Sequence, residues 1–103
     1  MTRIRLVNRR PALTFDFEIG GLNYTATVGH FNDGRVAEIF LSNPKVNSAA
    51  DVNARDAAIA VSIALQCGAE FETIRRALCR DSHGRASGPL AAVLDIIADR
   101  GAV

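Results

Sequence analysis

Apolar and polar residues alternate from Leu13 to Ile19, LTFDFEI, which is the two-residue period of a strand with one face in the core and one in water. Gly20-Gly21 follows, a pair able to take the two positive φ angles of a type I′ hairpin turn. Leu22 to Phe31 then reads as a returning strand rich in Tyr, Thr and Val, with Tyr24, Ala26 and Val28 on a common face. Asn32-Asp33-Gly34 is a second turn signal. After it, Arg35 to Ser42 gives a third strand, with Ile39 and Leu41 on one face and Val36, Glu38 and Phe40 on the other. The three form an antiparallel meander. Such a sheet covers one face and wets the other, so the rest of the chain is expected on the side of Phe15, Phe17 and Ile19.

The period lengthens after the loop at Pro44. Ser48 to Gly68 reads as a central, mostly buried helix, with Ser48 as N-cap, Asp51 as the short-armed partner of a capping box, and Gly68 as a left-handed stop. Val52, Ile59, Val61, Ile63 and Leu65 are spread around it, and its alanines keep its surface smooth. Asp51, Asn53, Arg55 and Asp56 place its first two turns toward water, with Ala58 to Cys67 in the core. Phe71, Ile74 and Leu78 mark a short helix over Glu70 to Cys79. The polar stretch Arg80 to Gly88 separates it from a third helix, for which Ser87 is the expected N-cap, Pro89 a first-turn residue and Gly101 the stop. Leu90, Val93, Leu94, Ile96 and Ile97 form its inner side. The predicted class is α+β, a three-stranded antiparallel β-meander followed by three α-helices packed on one face. Residues 1–11 read as a basic N-terminal arm and 12–103 as a single domain.

Composition narrows the function classes. A chain of 103 residues, 49% hydrophobic and 22% charged, suits one domain that buries roughly 60–65% of its unfolded surface. Twelve Lys and Arg against eleven Asp and Glu give a net charge of +1, so no global field draws nucleic acid or an anionic membrane, and neither is expected as a partner. Arg3, Arg5, Arg9 and Arg10 are a local exception, either a solvated arm or a contact to an acidic partner or phosphate. No apolar run follows them as a signal peptide requires, and none approaches the ~18 residues of a membrane span, so a cytoplasmic location is expected. Cys67 and Cys79 then read as reduced, partly buried thiols, with a disulfide as the alternative.

Candidate chemistry is sparse. His30, His83, Cys67 and Cys79 lack zinc-ligand spacing. Cys79 stands four residues before His83, without a nucleophile turn around it, and reads as a helix-end thiol beside a loop imidazole. The glycines lack Walker or dinucleotide spacing, so no cofactor is implied. One constellation points to an anion. Lys45, Asn47 and Ser48 precede the central helix, and Arg80, His83, Arg85 and Ser87 precede the third, where helix N-termini offer free N–H groups and positive partial charge. If the two loops meet, they form a pocket for phosphate, a nucleotide-like ligand or an acidic segment of a partner. The plainer reading is two capped loops with solvated cations. The open edges of a three-stranded sheet would also accommodate a homodimer.

The run from Gly29 to Leu78 resembles the TSCPD domain, found near the C-terminus of adenosylcobalamin-dependent (class II) ribonucleotide reductases and as free-standing small proteins. The resemblance lies in the Asp33-Gly34 turn, the strand Ala37-Glu38-Ile39-Phe40, the Lys45 to Ser48 loop, the small-residue helix, and Gly68 followed by Glu72-Thr73-Ile74 and Leu78. Arg80 to Ala98 is similar to the stretch that follows in that family. The Cys-Pro-Asp of the family signature is absent. Reduction of ribonucleotides needs a large barrel with a radical cysteine and reducible cysteine pairs, which Cys67 and Cys79 do not resemble. The resemblance therefore implies an accessory or regulatory module that binds a nucleotide-like anion, a reductase or another protein. The alternative is a small enzyme with His83 in the Arg80–Arg85 loop as its acid-base group.

Overall fold

The structure, a computed structural model, describes residues 2–4 and 12–101; Arg5, Arg9 and Arg10 of the basic stretch lie outside the described residues. Strands β1 (Ala12–Ile19), β2 (Leu22–His30) and β3 (Val36–Ser42) form one antiparallel sheet in the order β1-β2-β3. Helices α1 (Ala49–Gln66), α2 (Phe71–Ala77) and α3 (Pro89–Asp99) follow, giving the α+β class read from the sequence. Gly20 and Gly21 take φ of 61° and 77°, the conformation that a two-residue hairpin with right-handed strand twist demands.

The core lies between the sheet and the helices. Tyr24, Ala26 and Val28 of β2 and Ile39 and Leu41 of β3 meet Ala54, Ala58, Val61 and Leu65 of α1, and Val93, Leu94 and Ile97 of α3. Phe15, Phe17 and Ile19 pack against this cluster half-buried, on the side the alternation assigned to them. Val36 departs from its expected wet face. A register shift between Gly29 and His30 pairs His30 with Val36, and this bulge turns Val36 into the core at 4% exposure. Glu38 stays on the other face yet is buried, because it folds over Gly29; a Cβ there would sit 2.9 Å from Glu38 Cγ and Oε1.

α1 is not the enclosed centre expected from its composition. It packs mainly along β3, at one edge of the sheet. Val52, Ile59 and Ile63 remain exposed, the two isoleucines on the flank that faces the equally exposed Phe40 of β3. Its alanines explain the arrangement: small residues let the helix approach the strand closely enough for side chains to reach strand backbone. Ser62 Oγ accepts from Ile39 N–H at 2.9 Å and donates to Ile39 C=O at 3.0 Å. Gln66 Nε2 donates to Ala37 C=O at 3.1 Å. The outward edge of β3 is thereby sealed, so one of the two edges expected to be open is closed.

The capping box is also reassigned. Ser48 caps α1, accepting from Asp51 N–H at 3.2 Å, but Asp51 does not return the bond to Ser48. Its carboxylate, 1% exposed and not in water as expected, accepts from Asn43 N–H and Asn47 N–H at 3.0 Å each. It ties the end of β3 to the start of α1.

Ser62→Ala leaves the buried Ile39 N–H and C=O without partners and is expected to cost about 1–3 kcal/mol. Urea unfolding should show a lower midpoint at unchanged slope; an unchanged midpoint would show that Ser62 is not an edge-sealing residue.

Candidate functional site

The stretch before α3 is a small hairpin, not an open polar loop. Arg80 and Ala86 form an isolated bridge, Asp81 N–H bonds Arg85 C=O, and Gly84 N–H bonds Asp81 C=O. The Asp81 carboxylate accepts from His83 N–H at 2.8 Å and Arg85 N–H at 3.0 Å. These bonds hold its pKa below the ordinary value, Arg85 N–H contributing most. Ser87 is not the N-cap of α3: its N–H closes the hairpin onto Cys79 C=O at 3.0 Å, and Gly88 takes the cap position with Pro89 behind it.

Arg80 is engaged by the protein itself. Its guanidinium grips both oxygens of Asp95 on α3, at 2.8 Å each, and also donates to Gly84 C=O and Arg75 C=O at 3.1 Å. Arg75 donates to Asp95 at 3.0 Å and pairs with Glu72, which also takes Arg76. Two cations and two anions, Arg75, Arg80, Glu72 and Asp95, thus close on one another and rivet the hairpin to α2 and α3. Arg80 first, then Arg75, holds the Asp95 carboxyl below its ordinary range. Sequence reasoning passed over Asp95. The signal was a carboxylate flanked by Leu94, Ile96 and Ile97 in an otherwise apolar helix.

The other candidate residues are free of that cluster. Lys45 and Arg85 are exposed, each on the loop leading to a helix. Asn47 takes a left-handed φ of 62° and gives its N–H to Asp51, and Ser48 is spent on its cap. His83 stands exposed on the hairpin tip. Among the described residues no hydrogen bond or ion pair joins Lys45, Asn47 or Ser48 to Arg80, His83, Arg85 or Ser87. Between α1 and the start of α3 lies a hollow of about 430 Å³, lined by Leu22, Tyr24, Ala50, Ala54, Cys79 and Pro89 among others, and by none of these candidates. A second hollow, about 450 Å³, lies between β3 and α1, with Phe40, Ile59 and Ile63 beside Arg3, Glu38 and Arg55. Arg3 Nε donates to Gln66 Oε1 at 2.5 Å. Cys67 and Cys79 are free thiols, Cys79 exposed rather than partly buried. Among the described residues no group of three His, Cys, Asp or Glu could hold a metal, and no helix is long and apolar enough to cross a membrane.

Over 70 residues, 68% of this chain, the sequence is 37% identical to the vitamin B12-dependent ribonucleotide reductase of Agrobacterium fabrum (strain C58). The kinship is to one small part of a reductase. The matched stretch is 6% of that protein's length, so the chain carries a domain related to a reductase segment and spans little of the whole. No protein-family profile matches the chain, and no solved structure matches it.

Asp95 has a folded-state pKa below its unfolded value. Its ion pairs therefore stabilise the fold above the ordinary aspartate value of 3.8, and that contribution is lost as pH falls through the lower folded-state value. The melting temperature of the wild type should fall on acidification through this range, and that of Asp95→Asn should fall less. Identical acid profiles for the two proteins would contradict a stabilising role for the cluster.

Proposed function

We propose that this chain is an accessory or regulatory binding module, akin to the TSCPD domain of adenosylcobalamin-dependent ribonucleotide reductases, and not a reductase by itself. The observation that carries the reading is the 37% identity over 70 residues to a small segment of such an enzyme. The order of turn, strand, capped loop, small-residue helix and hairpin supports it. In this reading the module works by contact with a nucleotide-like anion or with the reductase polypeptide. The anion version falls to Lys45 and Arg85, since Arg80 is committed to Asp95. Both are exposed, and each precedes a helix of more than two turns, α1 or α3. His83 is exposed on a hairpin, its backbone N–H donating to the Asp81 carboxylate, and no hydrogen bond or ion pair among the described residues joins its imidazole to a nucleophile or acid that would favour the enzyme alternative.

A thermal-shift series against nucleotides, deoxynucleotides, cobalamins and inorganic phosphate tests the anion version. A ligand at ~100 times its dissociation constant adds about 2.7 kcal/mol, a shift of several degrees in a domain of this size. The shift should vanish in both Lys45→Ala and Arg85→Ala. A shift that survives both would place the ligand elsewhere. No shift with any compound would leave the reductase polypeptide as the target, to be tested by co-sedimentation with a B12-dependent reductase; failure there too would overturn the module reading.

A further inference from the structure

The two edges of the sheet are treated differently by the sequence. α1 seals β3, but among the described residues nothing pairs with the outer edge of β1. Ile19 and Leu22 flank the two-residue turn and so form a hydrogen-bonded pair. Ladder bonds alternate, so Leu13, Phe15, Phe17 and Ile19 spend their N–H and C=O on β2, while Ala12, Thr14, Asp16 and Glu18 point theirs outward. Among the described residues nothing hydrogen-bonds those outward groups. Natural edges are blunted by proline, charged side chains (lysine above all), a bulge, extreme shortness or a covering element. Of these β1 has only the charges of Asp16 and Glu18: it contains neither Pro nor Lys, runs for eight residues, and pairs with β2 in unbroken register.

The side chains along this edge state what could pair with it. On the wet face it carries Asp16 and Glu18, with no cation on β1 and only Asn23, Thr25 and Thr27 across from Glu18, Asp16 and Thr14 on β2. Thr25 Oγ1 donates to Asp16 Oδ1 at 2.6 Å and holds that carboxylate over the sheet. On the other face Leu13, Phe15, Phe17 and Ile19 are half-buried, with the Arg100 guanidinium 4.9 Å from the centre of the Phe15 ring. A second copy pairing antiparallel over the full strand would bring these carboxylates against their equivalents, directly across or diagonally, which is unfavourable. A strand with basic residues on one face and apolar residues on the other would instead neutralise Asp16 and Glu18 and extend the Phe15, Phe17 row.

We propose that the β1 edge is a strand-addition site for an extended segment of a partner protein in which basic and apolar side chains alternate. Main-chain bonds to Thr14, Asp16 and Glu18 supply the attachment, and the two carboxylates select the basic face. The inference rests on strand geometry and charge and stands whether or not the chain is a reductase accessory.

The probe is a capped peptide of alternating lysine and valine, as long as β1, with alternating glutamate and valine as its counterpart. The lysine peptide should bind, and amide exchange at Thr14, Asp16 and Glu18 should slow while Ile39 is unaffected. Asp16→Lys/Glu18→Lys should reverse the preference between the peptides by about tenfold. Thr14→Pro removes an outward donor and leaves the β1–β2 ladder bonds in place, so binding should be lost relative to Thr14→Val, which shares the loss of the hydroxyl bonded to Thr27 but keeps the donor. Binding without protection of the β1 amides, equal binding of both peptides, or none at about millimolar peptide would overturn the proposal. So would sedimentation as a dimer whose formation protects the same amides, since the edge would then belong to a second copy.

Discussion

A backbone group in a sheet edge must find a partner or face water, and in this protein the partner for β3 is a helix. Ser62 and Gln66 meet the outward groups of Ile39 and Ala37, and Asp51 meets Asn43 just past the strand's end. These residues fall on one side of α1, at a spacing that follows the helical repeat as the strand runs antiparallel to it. Once that side is fixed against the edge, the rest of α1 is determined. Ala54, Ala58, Val61 and Leu65 turn into the core, and Val52, Ile59 and Ile63 are left exposed, where composition alone would not place them.

That constraint marks where sequence reading succeeds and where it stops. The strands were legible because Phe15, Phe17 and Ile19 alternate with polar residues, and because Gly20-Gly21 and Asp33-Gly34 punctuate them. Helix ends were legible where a cap is a local event, as at Ser48. The burial of α1 was not, because Ser62, Gln66 and Asp51 look like surface residues until their strand partners are known. Long-range pairing also hid the second cluster. Arg80 reads as one of several loop cations, and only the fold brings Asp95 to it from α3. Ser87 reads as a cap, and the short bridge between Arg80 and Ala86 gives that position to Gly88.

The functional consequence is a division of surfaces. The polar residues that looked most like a ligand site divide into a closed ion cluster and a few exposed cations, Lys45 and Arg85 among them. Kinship to a small reductase segment marks a domain related to that segment, and the sheet carries one sealed edge and one that the described residues leave unpaired. One edge is occupied by the chain's own helix, and the other carries eight residues of regular strand beside two carboxylates. The same physical requirement, pairing of edge backbone, accounts for the position of α1 and for the character of β1.

Native-state amide exchange, residue by residue, tests this asymmetry most directly. The Ile39 amide, bonded to Ser62, should exchange only through global unfolding, with an opening free energy equal to that of the whole domain. The outward amides of Thr14 and Asp16 should exchange through far smaller openings. Equal, fast exchange at Ile39 and Thr14 would mean that α1 does not seal β3, and the account of both edges would fail.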